Sequence, residues 1–355
     1  MDDVVDTGTA SHIFAAAAGG PRGTGGLSED NRASTANGIW LCAACGRLVD
    51  ANAGNEYPVS LLRSWRDLHE YRTRVEQGGA RRPAGWIQSM EIRRHFVLNP
   101  GVVQLARCNL LFGPNGSGKT QLLSLLRSLS QPLTLMDGYK KSICTINWFD
   151  PEPRSADVEV DGPRLRYRVD GREVPLPPRP YRVFEFSAQH RNYREAPTLR
   201  SLAASLDVDE WIARAVVDKL PIAFPEIFAT ASVAGGELEI SYRSGSRAAG
   251  HVPPELLLHF YALVVLADLQ AQSEPTLLVL DEPFVFLHPP AERQVLQLLS
   301  SSARTFQTFL SSHSLTAFEQ RNHGWNATVL LPGPAGGFRI SQLEEDIEAI
   351  GRHHE

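Results

Sequence analysis

Lys119 and Thr120 close the stretch Gly113-Pro-Asn-Gly-Ser-Gly-Lys-Thr120, which fits the spacing G-x-x-x-x-G-K-[ST]. That spacing builds an anion cradle. Glycines let backbone N–H groups curl around phosphate oxygens, and the helix that follows presents its positive end to them. On this reading Asn115, Gly116, Ser117 and Gly118 line the cradle, Lys119 reaches the β- and γ-phosphates of a nucleotide, and the Thr120 hydroxyl ligates Mg²⁺. Four lysines stand against 31 arginines among the 35 basic residues, so a lysine in a motif is not background.

Two further groups belong to the same chemistry. Asp281 and Glu282 end Thr276-Leu-Leu-Val-Leu-Asp-Glu-Pro283, an apolar run typical of a strand buried on both faces. Asp281 can hold the water shell of Mg²⁺, and Glu282 can orient or deprotonate an attacking water. His313, in Thr308-Phe-Leu-Ser-Ser-His-Ser314, follows a third strand and stands in the order expected of a γ-phosphate sensor.

The elements that must position these residues are legible in outline. Residues 86–98 and 102–112 form two strand-like runs joined by Asn99-Pro100-Gly101, and Thr120 to Leu129 reads as a helix. Short strands fill 142–187, with Asp161-Gly162 and Asp170-Gly171 as hairpin turns. Residues 198–232 read as helix with proline breaks, 236–243 as a strand, and 255–271 as a buried helix. A helix from about Ala291 and a final strand pair complete an α/β pattern. Upstream, Leu61, Leu62, Trp65, Leu68 and Tyr71 fall on one helix face, with a stop at Gly78-Gly79. The domains expected are therefore 1–78 and 79–355.

GPNGSGKT, LVLDEP and FLSSHS together resemble the ATP-binding cassette ATPases, a fold class of P-loop NTPases. Leu287-His-Pro289 after the DEP stretch is similar to the branch holding SMC-like and overcoming-lysogenization-defect-like ATPases. The resemblance implies ATP and Mg²⁺ as ligands, with roles in hydrolysis for Glu282 and in γ-phosphate sensing for His313. It also implies a glutamine-loop residue, for which Gln189 is the candidate, and pairing of at least two copies. One departure concerns that pairing. Where the family has a Ser-Gly-Gly-Glu-like signature, this chain reads Ala249-Gly-His-Val-Pro-Pro-Glu255, and prolines lack the N–H groups that would meet an opposing γ-phosphate.

The amino-terminal residues carry a second resemblance. Ser11-His-Ile-Phe, Gly19-Gly-Pro-Arg22, Asn37-Gly-Ile-Trp-Leu-Cys-Ala-Ala-Cys45, Leu48-Val-Asp50 and Leu62-Arg-Ser-Trp65 are similar to a small ββα HNH-endonuclease-type module. It implies His12 as the activator of water, Asn37 as the holder of the loop, and a divalent metal on the scissile phosphate. Cys42 and Cys45 are half of a zinc site, which needs four ligands. Two positions depart from the family: Gly46 stands where active members have histidine, and Ser11 where many place an aspartate.

Composition bounds the rest. With 43% hydrophobic and 21% charged residues, the 355-residue chain can bury a core of about two domains' size. A net charge of −5 means that DNA must be met by a local basic surface. Residues 61–110, with nine arginines against four acids, are the candidate. Four cysteines make no disulfide scaffold and fit a cytoplasmic protein, and no segment reads as a membrane span. The expected function is an ATPase that regulates action on DNA. It would be an ATP-gated HNH-type nuclease in defence against phage or foreign DNA, or an ATPase sensor whose inactive HNH remnant controls a separate effector protein. A transporter's ATPase subunit is disfavoured by the degenerate signature.

Overall fold

The computed structural model describes residues 8–77, 85–131, 142–150, 152–162, 164–187, 198–243, 254–284, 287, 289–301, 305–334, 336–343, 346–347 and 350. The chain begins with β1 (Gly8–His12), α1 (Glu29–Ala33), β2 (Gly38–Cys42) and α2 (Ala43–Asp50). β1 and β2 pair antiparallel, with His12 opposite Gly38 and Gly8 opposite Cys42. Ser28 caps α1 by accepting the Asn31 N–H, and Cys42 caps α2 by accepting the Cys45 N–H. The helix expected before Gly78 is α3 (Val59–Gln77), and Gly78 and Gly79 lie outside the described residues. Leu62 joins Ile13, Ile39 and Val49 in a small core. Trp65 departs from the expected face: it is 39% exposed and meets Tyr57 edge-on.

Next come β3 (Ile87–Arg94), β4 (Gly101–Gln104) and β5 (Cys108–Phe112), so the run expected as one strand over 102–112 is two. β4 pairs with β3, whereas β5 lies in a different sheet. Asn109 holds the break, its Oδ1 accepting the Ala106 N–H and its Nδ2 donating to Ala106 O and Thr308 O. After α4 (Lys119–Arg127), the strands β6 (Ser142–Asp150), β7 (Glu152–Asp161), β8 (Arg164–Val169) and β9 (Arg172–Val174) extend an antiparallel sheet of order β4-β3-β6-β7-β8-β9.

β10 (Arg182–Ser187) leads into α5 (Leu199–Leu206) and α6 (Glu210–Ala223). The helix expected over 198–232 ends early. Phe228–Ala234 is β11, paired antiparallel with β12 (Glu237–Tyr242). There Ala231 and Val233 pack on the core while Ser232 and Ala234 face outward, a period of two. Pro221 stands in the last turn of α6 and does not break it.

The chain closes with α7 (Pro254–Gln270), β13 (Thr276–Asp281), α8 (Pro289–Ser300), β14 (Gln307–Ser312), α9 (Leu315–Glu319), β15 (Asn326–Pro332) and β16 (Phe338–Ser341). The second sheet has order β10-β13-β14-β5-β15-β16, parallel except at β16. It is buried on both faces. Leu278, Leu280 and Leu310 point to a helical core with α6, α7 and α8, while Leu277, Val279 and Phe309 point to a core shared with α4 and the antiparallel sheet.

α3 docks at the end of this sheet where β5 and β15 begin. Arg63, itself buried, donates to Trp325 O at 2.7 Å and Arg321 O at 3.2 Å. Asp67 accepts the Arg107 N–H, and Arg107 donates to Leu299 O and Ser300 O. These contacts take four of the nine arginines of 61–110, while Arg94 is exposed. Arg63 and Arg107 are spent on carbonyls of the fold, Arg66 on Asp67 and Ala36 O, and Arg93 on Asp157. Arg81 and Arg82, and the side chains of Arg72 and Arg74, lie outside the described residues.

Gln307, fully buried at the start of β14, joins the sheets: its amide donates to Ile87 O and Ala106 O and accepts the Ile87 N–H. Gln307→Ala strands three backbone groups, so chemical denaturation is expected to show a loss of about 3 kcal/mol. A loss under about 1 kcal/mol would contradict this account of the sheet junction.

Candidate nucleotide site

Strand register assembles the site. Asp281 at the end of β13 lies opposite Ser187 on one side and Ser311 on the other, and Ser312 lies opposite Phe112, the last residue of β5. Three strands therefore deliver the phosphate loop, the two carboxylates and His313 to one edge of the sheet, where parallel α/β sheets hold their ligands. Gly116 and Gly118, at φ +77 and +100, take backbone conformations that other residues rarely adopt. Gly118 has a second reason to be glycine, since a Cβ there would come within 2.7 Å of Leu98.

Lys119, Asp281 and Glu282 are all buried; Lys119 and Glu282 pair with each other, and Asp281 is held by two hydroxyls. Lys119 Nζ lies 2.9 Å from Glu282 Oε1 and donates to Gly113 O and Pro114 O. Glu282 Oε2 lies 2.8 Å from His313 Nδ1. Thr120 Oγ1 donates to Asp281 Oδ2 at 2.9 Å, and Ser311 Oγ donates to Asp281 Oδ1 at 2.6 Å. Glu282 sits at φ +47, a conformation costly for a side chain with a Cβ, and its N–H is held by Ser311 Oγ at 3.0 Å.

The residues present fit a nucleotide with a hard divalent cation. The N-cap of α4 is Gly118, which has no side chain to take up the first N–H groups, and the buried Ser117 hydroxyl has no hydrogen-bond partner among the described residues. Gly116 has open space where a Cβ would stand, and Asn115 is exposed beside it. Thr120 and Asp281 supply the oxygen pair that Mg²⁺ prefers. Gln189 and residues 249–253 of the signature segment lie outside the described residues.

The amino-terminal residues form a separate cleft lined by His12, Arg22, Gly46, Arg47 and Asp50. Asn37 is buried and holds the loop after β1, its Oδ1 accepting the Phe14 N–H and its Nδ2 donating to Phe14 O and Arg32 O. Arg22 donates to His12 O, Ile13 O and Val49 O and pairs with Asp50 at 2.5 Å. Cys42 and Cys45 are exposed, and Cys42 lies at the ribbon end away from His12. The Cys45 N–H and thiol draw the Cys42 thiol below its ordinary pKa, and Cys42 in turn raises that of Cys45. Among the described residues no three His, Cys, Asp or Glu side chains converge to hold a metal. Cys108 and Cys144 are buried strand residues whose thiols burial pushes up to about 11 and about 12.

Fold and site together define a P-loop ATPase with the fold of an SMC head. Residues 257–319 match the family described as "AAA domain, putative AbiEii toxin, Type IV TA system". An SMC head bound to the C-winged helix domain of ScpA is 13% identical, with a TM-score of 0.52 over 74% of this chain and 99% of that one. An SMC head with an extended coiled coil, bound to the C-terminal domain of ScpA derived from Pyrococcus furiosus, is 11% identical, with a TM-score of 0.51 over 76% and 100%. The SMC head domain from Thermotoga maritima is 15% identical, at a TM-score of 0.48 over 72% and 98%. Comparison with curated proteins finds no match.

Sequence reasoning passed over three residues of these sites: Ser311, Arg22 and Glu292, the last of which accepts from Ser314 Oγ. Ser311 and Arg22 lie inside recognised stretches, but nothing in their type marks their partners. For Arg22 the consequence is testable. Arg22→Ala leaves three carbonyls and Asp50 without their donor, so hydrogen exchange over residues 8–50 is expected to lose about 2–4 kcal/mol of protection while residues 276–312 keep theirs. Unchanged protection over 8–50 would overturn that role.

Proposed function

We propose that this chain hydrolyses ATP at Lys119, Thr120, Asp281, Glu282 and His313, and that the nucleotide cycle controls what its amino-terminal unit does on DNA. The observation that carries the first part is Glu282, buried and shared between Lys119 and His313. Lys119 can leave Glu282 for the β- and γ-phosphates, and the released carboxylate orients a water and takes its proton as the water oxygen attacks the γ-phosphorus. The bond from the γ-phosphorus to the β-phosphate oxygen breaks, and His313 faces the departing phosphoryl group. Thr120 and Asp281 would hold Mg²⁺, which neutralises phosphate charge when bound.

Control of the amino-terminal unit is supported by Arg63. His313 is followed by α9 and the 3₁₀ turn Gln320–His323, and the carbonyls of Arg321 and Trp325 are those that Arg63 of α3 grips. The segment leaving the sensor is thus the segment to which the amino-terminal unit is latched. A division of the chain at 78/79 follows the same elements. ATP-dependent pairing of two copies belongs to this reading as well. None of the described helices is long and apolar enough to cross a membrane.

DNA enters through the resemblance of about residues 7–75 to HNH endonucleases. Two observations favour a unit that recruits a separate effector nuclease over one that cuts DNA itself: Asp50 is engaged by Arg22, and Gly46 lines the cleft where active members have histidine. The test is incubation of plasmid DNA with the purified chain and Mg²⁺ or Mn²⁺, with and without ATP, beside His12→Ala. The expected result is ATP hydrolysis with the plasmid uncut in every lane. Cutting that His12→Ala abolishes would instead establish a working nuclease, and its dependence on ATP would give the sign of control.

A further inference from the structure

Glu292 is an acid in the wrong place for a surface helix. It lies in the first turn of α8 yet is only 3% exposed. Its Oε2 accepts from Ser314 Oγ at 2.9 Å, and its Oε1 is buried with no hydrogen-bond partner among the described residues. Ser314 is the N-cap residue of α9 and the residue after His313. The Ala317 N–H inside α9 also reaches the carboxylate. A leucine or alanine would fill the position without burying a charge, so packing alone does not account for an acid there.

We propose that Glu292 is a positioning residue of the ATPase: by gripping Ser314 and the start of α9 it fixes the turn that aims His313 at Glu282. The proposal rests on the reading of Glu282 and His313 given above. The anchor points, Ser314 and Ala317, lie one and four residues after the sensor. The turn is thus held from both flanks, by the imidazole on Glu282 and the Ser314 hydroxyl on Glu292. Ser312 Oγ, accepting the Ser314 N–H at 3.0 Å, closes the turn.

The grip depends on charge. Burial pushes the Glu292 carboxyl up to about 7, against the lowering effects of the Ser314 hydroxyl and the Ala317 N–H. Of the charged groups that face it, Arg293 on its own helix and His313 at the end of β14 both favour the ionised form. Above about pH 7 the carboxylate is charged and accepts strongly from Ser314 and Ala317; below it the neutral acid accepts weakly. Turnover is therefore expected to rise as pH climbs through about 7, as the sensor turn tightens.

The test is steady-state ATP hydrolysis by the full chain across that pH range, beside Glu292→Ala and Glu292→Gln. Glu292→Ala is expected to lower kcat about tenfold with little change in KM, the rate equivalent of one lost hydrogen bond. Glu292→Gln keeps an acceptor for Ser314 and cannot ionise, so it is expected to match the wild type below the transition and to lack the rise above it. Superimposable pH profiles for the wild type and Glu292→Gln would overturn the proposal, and so would a folded Glu292→Ala with the kcat of the wild type. Should Glu292→Ala fail to fold in a thermal melt, the Glu292→Gln comparison decides alone. Lys119→Ala separates the two readings. Hydrolysis surviving in that variant would refute the nucleotide site itself, whereas hydrolysis lost there with inert Glu292 variants would refute only the positioning role.

Discussion

A carboxylate taken out of water must find partners or lose its charge, and Glu282 has two: Lys119 on one oxygen and His313 on the other. The three side chains come from three places far apart in sequence. Lys119 starts α4, Glu282 follows the last residue of β13 and His313 follows the last residue of β14. Their meeting requires that three parallel strands stop in register, and the ladder between Asp281, Ser311, Ser312 and Phe112 enforces that stop. The continuous apolar runs of β5, β13 and β14, the two cores that cover them and the polar junction at Gln307 all serve that alignment. The strained backbone at Glu282 is part of the same arrangement, because Ser311 bonds both the Glu282 N–H and the Asp281 carboxylate.

The amino-terminal unit attaches at the other end of that sheet. α3 meets the chain where β5 and β15 begin, and the site lies where β5 and β14 end. The strands between are rigid and paired along their length, so they are a poor carrier of a signal. The segment from His313 to Trp325 is a better one. It is short, consists of a five-residue helix and a 3₁₀ turn, and is tied at its front by Glu292 and at its back by Arg63. Arg321 also lays its guanidinium over Phe318, and Phe318 packs on Phe112 at the foot of the phosphate loop. A shift of the sensor thus has a contiguous path to α3.

The nucleotide site was legible in sequence because its backbone demands it. Glycines at Gly116 and Gly118, a lysine after them and two acids after an apolar run are requirements of geometry, visible one residue at a time. Sheet membership was not. Residues 102–112 read as one strand because their apolar pattern is continuous, and the passage between sheets depends on Asn109, whose partners are distant. Residues 228–232 read as helix because alanine suits both states, and only burial against the helical core selects the period of two. The arginine-rich stretch was legible only as a count for a related reason. Composition counts charges but not partners, and Arg63 and Arg107 proved to be donors to backbone carbonyls. Glu292 escaped notice because an acid in the first turn of a helix is ordinary until its burial is known.

In the proposed function Glu282 activates water and leaves ATP binding to other residues. The most direct measurement is ATP binding and hydrolysis by Glu282→Gln beside the wild type, in the presence of Mg²⁺. The result predicted is retained binding with hydrolysis reduced by about 10²–10⁴-fold, the range for loss of a general base. Hydrolysis at the wild-type rate in Glu282→Gln, with binding intact, would contradict it.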